Sequence, residues 1–234
     1  MKSLSAEQSW WYRYRGDLVI DFLTRFTTKP ASGVLQILDA GAGQGGMCER
    51  LASFGEVSAY EPFVPAAELC KVKPYTSLSL SLESFKKGER RFDAIVLLDV
   101  LEHVADDAGM LKQLNQLCVA GGTLIVTVPA FSFLWSACDD RHGHLRRYQK
   151  KKLEELISQA GFSVAYSSYW NFLLFPVVFL LRSMDQFREV APHYWRDRLF
   201  YFVTKLERKA FLYMRFPLGT GIIIVARRQK EAAC

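Results

Sequence analysis

The sequence predicts an α/β fold built on a mostly parallel, doubly wound sheet. Two observations carry this. Short apolar runs alternate with helical patterns along most of the 234 residues, the order that strand–helix–strand crossovers produce. The first of those runs ends in a glycine-rich turn, "LDAGAGQGG" (38–46), and sheets of this kind bind ligands at the C-terminal strand ends, where the strand order reverses.

The elements follow in order. Residues 5–26 read as an amphipathic helix, with Trp11, Leu18, Val19, Phe22 and Phe26 near helical spacing, closed by "TTKPASG". "VLQILDA" is a buried strand, followed by the glycine turn and a helix over "GGMCERLASF". "EVSAYE" is the second strand, with Pro62 after it and a helix near 65–71. "YTSLSLSL" is a weaker strand, "FDAIVLLDV" a strong buried one, and Ala105–Leu117 a helix. "AGG" turns the chain into the strand "TLIVTVP". A polar, aromatic loop leads to the helix "KKKLEELISQAGF", which Gly161 ends in the usual position just past the last turn. "SVAYSSYW" and "GIIIVARR" (221–228) are the last two strands. The apolar and basic helical pattern between them is longer than a usual connection. The chain therefore divides into an N-terminal cap helix (1–30), a core (31–170 and 217–230) and a helical insertion or lid (171–216).

Composition narrows the partners. Half of the residues are hydrophobic and the formal net charge is +6, which suits one globular domain with a full-sized core. The basic excess comes partly from "RHGHLRRYQKKK" (141–152) and "ARRQK" (226–230). It attracts phosphates or anionic lipid, but no RNA-reading signature or zinc spacing accompanies it, and nucleic acid is not expected as a partner. Five scattered cysteines (Cys48, Cys70, Cys118, Cys138, Cys234) without a C-x-x-C read as reduced thiols of a cytosolic protein. The N-terminus has no signal-peptide core, and the longest apolar run, "FLLFPVVFLL" (172–181), is too short to span a bilayer. A cytoplasmic protein is expected, as a monomer or homodimer. The insertion is where peripheral contact with the inner membrane surface, or cover for a hydrophobic acceptor, is expected.

The chemistry is concentrated in the glycine turn. Gly41, Gly43 and Gly46 satisfy G-x-G-x-x-G, Gln44 lies inside the turn, and Glu61 ends the second strand, at the spacing of a ribose-binding acid. Glycine permits positive φ and close backbone approach. This pattern serves nicotinamide cofactors and S-adenosylmethionine alike. Asp39 separates them. A carboxylate beside the turn repels a pyrophosphate held at the helix N-terminus, whereas S-adenosylmethionine has no phosphate and carries a cationic sulfonium and amine.

"ILDAGAGQGG", "YEP", "FDAIVLLDVLEHV", "GGTLIVTVPA" and "LEELISQAGF" together resemble the successive motifs of class I S-adenosylmethionine-dependent methyltransferases, nearest to the ubiquinone-biosynthesis-like group, types 11 and 12. The likeness covers nearly the whole chain, and "SWWYRYRGDLVIDFL", "DDRHGHLRRY" and "FPLGTGIIIVARR" are similar to one branch of it. The resemblance implies a Rossmann-like, seven-stranded sheet with helices on both faces and an antiparallel last strand. It implies that Asp39, Gly41 and Gly43, with Gln44, cradle the methionine portion of the cofactor. It implies further that Glu61 and the adjoining Pro62 meet the ribose, that Ser81 and Leu82 flank the adenine, and that Leu98, Asp99 and Val100 line the cofactor. The family carries an acid at or near Ser81, where this chain has serine. The loop beyond Pro129 should face a small-molecule or lipid-linked methyl acceptor, with an anionic head group suiting the nearby basic residues.

Several constellations remain open on sequence alone. His103, in "LEHV", either supports its loop or accepts the acceptor's proton. "DDRHGHLRRY" is either a solvated basic loop or a substrate grip, in which His144 is the base and Arg147 and Tyr148 stand beside it. His142 and His144 lack a third ligand at metal spacing, Cys138 and Asp139 lying nearby, and no metal is expected. Arg13 and Arg15 offer a clamp for the cofactor's carboxylate or a substrate contact. Tyr148 and Lys152 form the Tyr-x-x-x-Lys of short-chain dehydrogenases, but that family's glycine spacing is missing. A nicotinamide-dependent oxidoreductase and a catalytically silent S-adenosylmethionine-binding partner are the alternatives to a methyltransferase.

Overall fold

The structure is a computed structural model and describes residues 9–31, 33–71, 73–183, 194–211 and 213–230. Seven strands, β1 (Leu35–Ala40), β2 (Gly55–Tyr60), β3 (Ser77–Ser79), β4 (Phe92–Leu98), β5 (Cys118–Pro129), β6 (Phe162–Trp170) and β7 (Gly221–Arg228), form one sheet in the order β3-β2-β1-β4-β5-β7-β6. The five strands from β3 to β5 are parallel, and β7 runs antiparallel to both of its neighbours. The strand order reverses between β1 and β4, which opens a crevice beyond their C-terminal ends.

Alternate residues of the central strands feed two cores, as period-two side-chain placement requires. Leu38, Ala40, Ile95, Leu97, Leu124, Val126 and Ile224 pack with helices α4 (Leu82–Lys87), α5 (Asp107–Leu117) and α7 (Lys150–Gln159) on one face. Ile37, Ala94, Val96, Ile125, Ile223 and Val225 meet α1 (Trp10–Phe26) and α2 (Cys48–Ala52) on the other. α3 (Val64–Cys70) follows β2, and α6 (Ala137–His142) lies in the loop after β5. Between β6 and β7 stand α8 (Phe175–Ser183) and α9 (Tyr194–Phe211).

Four boundaries differ from the sequence reading. The helix expected over 5–26 begins at Trp10, where the Ser9 side chain accepts from the Tyr12 backbone N–H; residues 5–8 lie outside the described residues. Gly45, not Gly46, takes positive φ (+82°), so the glycine turn runs on to Met47 and α2 is short. The weak strand "YTSLSLSL" is only three residues long, because Ser81 caps a new helix, α4. "AGG" is a bulge inside β5: the register with β4 jumps from Phe92↔Cys118 to Ala94↔Thr123, and Gly121 absorbs it at φ +77°.

α9 is tied to α1 through side chains on both. The Tyr14 hydroxyl donates to Glu207 Oε1 at 2.8 Å, the Tyr201 hydroxyl to Asp17 at 2.9 Å, and Arg208 forks onto Asp21 with two contacts of 2.6 Å. Phe211 packs among Phe22, Tyr166 and Phe216.

Candidate active site

The turn after β1 is built around close backbone approaches. Gly41 donates to the Tyr60 carbonyl at 2.7 Å with φ +80°, and a Cβ there would stand 2.4 Å from Val100 Cγ2. Gly43, at φ +56°, has open space where its Cβ would be. Its N–H donates to Glu61 Oε2 at 2.7 Å, and Glu61 Oε1 accepts from Phe63 N–H at 2.8 Å. Glu61 is thus fixed by the turn and by the chain just beyond Pro62. Each oxygen keeps a lone pair for a ligand hydroxyl.

Asp39 is buried, and its carboxylate accepts from the Tyr75 hydroxyl at 2.7 Å. Burial pushes its pKa up to about 6, with Glu61 adding to the rise and Tyr75 and Arg15 opposing it. A buried acid held this way is stabilised by a cation beside it, which fits the amine and sulfonium of S-adenosylmethionine and not a pyrophosphate. Arg15 reaches in from α1 to pair with Asp99, which sits at φ +55° just past β4 and also accepts from Thr127 Oγ1 at 3.0 Å. Arg13 goes elsewhere: its guanidinium lies 3.7 Å from the centroid of the Tyr201 ring on α9. Ser81, Leu82 and Tyr60 wall a cleft of about 300 Å³ with Leu80, Val104, Asp106, Met110 and Gln113. Asp106, whose carboxylate caps α5 by accepting from Gly109 N–H at 2.8 Å, is the acid in that lining. Leu98 is buried, and Val100 lies against Gly41.

A second cluster stands where the β4 end meets the loop after β5. His144 Nδ1 lies 2.8 Å from Asp139 Oδ1. Asp139 is only 1% exposed and is the hub of its loop, accepting from Arg147 Nε at 2.9 Å and Nη2 at 2.7 Å and from Ser136 N–H at 2.9 Å. Ser136 and Asp139 form the capping box that starts α6. With Asp139 accepting the Nδ1 proton, His144 presents Nε2 as the basic nitrogen. The ring of His103 stands edge-on to that of His144, with centroids 4.8 Å apart. Burial, then the neighbouring His144, lowers the His103 pKa. Glu102 is fully buried with neither carboxyl oxygen hydrogen-bonded, and burial, then the Asp99 charge, raises its pKa well above the carboxylate range. Ligand atoms of Glu102, His103 and His144 all lie within 4.8 Å of one another.

Arg147 and Tyr148 are turned inward. Arg147 also donates to the Ala130 carbonyl at 2.9 Å, and the Tyr148 hydroxyl donates to the Leu101 carbonyl at 3.1 Å and Asp107 at 2.8 Å. Burial, first, and its Asp107 partner raise the Tyr148 pKa. Both side chains position the loop, Arg147 through Asp139. Sequence reasoning did not single out Asp139, Glu102, Tyr75 or Thr127 as site residues. Only Asp139 had a local signal, the Ser-x-x-Asp capping box.

A sheet ordered β3-β2-β1-β4-β5-β7-β6, with an acid-bearing glycine turn after β1 and a second acid after β2, defines a Rossmann-like class I methyltransferase domain. The chain belongs to the methyltransferase domain family, whose profile matches residues 11–167. It is 35% identical over 121 residues to a ubiquinone biosynthesis O-methyltransferase of Methylocella silvestris, covering 47% of each chain. It is 34% identical over 110 residues to the mitochondrial enzyme of that name from Arabidopsis thaliana, covering 43% of this chain and 34% of that one. The chain thus spans half or less of the length of these curated relatives. Among solved structures, the [4+2]-cyclase SpnF superimposes with a TM-score of 0.60 at 16% identity, over 97% of this chain and 86% of that one. That likeness shows the fold alone.

Proposed function

We propose that this protein transfers the methyl group of S-adenosylmethionine to a hydroxyl of a quinol-type phenol, as a small molecule or linked to a lipid. The observation that carries this reading is the pairing of two sites across the end of β4. Asp39, Gly43 and Glu61 form a cation-favouring cradle on one side, and the Asp139-oriented His144 stands on the other. The bound cofactor supplies a methyl group already activated by its sulfonium. The chain's residues do the rest. Asp39 holds the cationic end, Glu61 takes the ribose hydroxyls, Ser81 and Leu82 flank the adenine, and Arg15 is drawn between Asp99 and the cofactor carboxylate. His144 Nε2 takes the phenolic proton as the oxygen attacks, and Asp139 stabilises the resulting imidazolium.

The names of the curated relatives, O-methyltransferases of ubiquinone biosynthesis, support a quinol-type acceptor, and the aromatic surroundings of the loop after β5 suit it. Phe131 stacks on Phe133 and Tyr169, with centroids 4.9 and 4.8 Å apart. An apolar cleft of about 430 Å³ lies between Phe172, Leu173, Phe175, Pro176, Phe179 and Leu218. In this reading the described part of 1–30 caps the cofactor side and the described part of 171–216 forms a lid whose cleft takes the acceptor's apolar part; residues 1–8, 184–193 and 212 lie outside the described residues. Arg146 and Arg147 are paired with Asp107 and Asp139, so an anionic head group on the acceptor would be met by other bases of the loop or of the lid. No helix among the described residues is long and apolar enough to cross a membrane, and peripheral contact with the inner membrane surface belongs to the same proposal.

The test incubates the protein with methyl-labelled S-adenosylmethionine and a panel of hydroxylated benzoquinols, with and without a short isoprenoid tail. Label should appear on oxygen. His144→Ala should lower turnover by about 10²–10⁴-fold and leave S-adenosylhomocysteine affinity unchanged in calorimetry. Label on nitrogen or carbon acceptors alone sinks the quinol assignment. Cofactor binding with no turnover of any acceptor leaves the silent relative, and preferential binding of nicotinamide dinucleotide ends the methyltransferase reading.

A further inference from the structure

We propose that the outward face of α9 is a docking surface for an anionic lipid bilayer. The helix sorts its side chains by chemistry. Its two acids turn inward: Asp197 accepts from the Trp10 backbone N–H of α1, and Glu207 is buried, accepting from Tyr14 and from the Leu173 N–H. Leu199, Phe202 and Leu206 point outward and are 49%, 59% and 51% exposed. At 3.6 residues per turn they fall within about 60° of one another. Arg198, Lys205 and Lys209, also exposed, fall within roughly 40° on the flank beside Phe202.

A helix that only solvates itself mixes opposite charges at i, i+4 spacing. Here Lys205 and Lys209 stand at that spacing with the same sign, an arrangement that disfavours the isolated helix. No acid among the described residues of α9 faces outward to relieve it. An apolar stripe edged by bases on one side matches the boundary of an anionic leaflet, with leucine and phenylalanine at acyl depth and lysine ammoniums at the phosphates. Tyr213, 89% exposed, stands two residues beyond the helix end, and an aromatic with a polar tip suits the same depth.

This inference rests on the membrane contact proposed above and gives it a surface, but its test needs no methyl acceptor. The whole chain is floated with vesicles of phosphatidylcholine alone and with vesicles containing phosphatidylglycerol, at low and high salt. S-adenosylhomocysteine binding is measured on the same samples, so a failure of the docking face and a failure of the methyltransferase reading are told apart. Flotation is expected only with the anionic vesicles and should weaken as salt shortens the screening length. Lys205→Glu with Lys209→Glu should cut partitioning by about tenfold or more, since each lysine at an anionic surface is worth roughly a fivefold factor. Reversing Lys151 and Lys152, exposed on α7, should change it little. Phe202→Gln tests the apolar stripe separately should the double variant fail to fold. No flotation of the unaltered chain at low salt overturns the proposal, as does undiminished flotation of the folded α9 variants. A chain that self-associates through this face instead, with Phe202→Gln monomeric, also overturns it.

Discussion

Asp39 couples the cofactor site to pH. Its carboxyl ionises near pH 6 in the folded chain against an ordinary value near 3.8. The unfolded chain therefore gives up this proton first as pH rises. The unliganded protein loses stability between about pH 4 and 6, by on the order of 2–3 kcal/mol, and stays lower above that window. The melting-temperature difference between the parent and Asp39→Asn across pH 4–7 isolates the effect, and parallel curves would refute it. A cationic ligand favours the carboxylate, so cofactor affinity should fall as pH drops through about 6, with proton release on binding that the asparagine variant lacks. Gly41 supplies a second test. A Cβ at φ +80° and 2.4 Å from Val100 Cγ2 should make Gly41→Ala cost about 2 kcal/mol or more, part of which Val100→Ala returns. A drop below about 0.5 kcal/mol in denaturant melts would contradict this. The meeting of Asp39, Gly41, Gly43 and Glu61 at one turn was legible because it rests on local turn chemistry and a fixed spacing. Asp139 and the unpartnered Glu102 were not, since their meaning depends on which loops fold against them.

At the level of elements, one buried hydrogen bond among the several ties between α1 and α9 can be tested alone. Glu207 is 1% exposed, and Tyr14 is one of its two donors among the described residues. Tyr14→Phe removes a donor from a buried carboxylate, which should cost about 1–3 kcal/mol, or roughly 2–12 °C of melting temperature for a chain of this size. An unchanged melt would mean that the two helices are not coupled through this contact. β4, β5 and β7 were the most legible strands because buried apolar runs leave a strong pattern, whereas β3, a half-buried Ser-Leu-Ser, left a weak one. The short helices α4 and α6 were not legible, because caps rather than apolar periodicity announce them: Ser81 for one, the Ser136–Asp139 box for the other. "AGG" read as a turn because a bulge and a turn use glycine in the same way.

Over the whole molecule, binding at one crevice should stabilise the entire sheet, since β1, β2 and β4 all end there. S-adenosylhomocysteine at one hundred times its dissociation constant should add about 2.7 kcal/mol, a rise of roughly 5–11 °C, and nicotinamide dinucleotide at the same concentration should add nothing. The parallel pairing follows from strand–helix crossovers, and the antiparallel direction of the last strand from the family resemblance, whereas the place of β7 between β5 and β6 is seen only in the structure. That place has a consequence for biosynthesis. β6 pairs with β7 alone, and one edge of β5 is covered by β7. Until Gly221–Arg228 leaves the ribosome, β6 has no strand beside it and β5 presents an open edge to other chains. The parallel half and its cofactor crevice can assemble on the nascent chain, but the sheet closes only after the last strand slides between two that are already made. The interval before that step is when this protein is most exposed to aggregation and has most need of a chaperone.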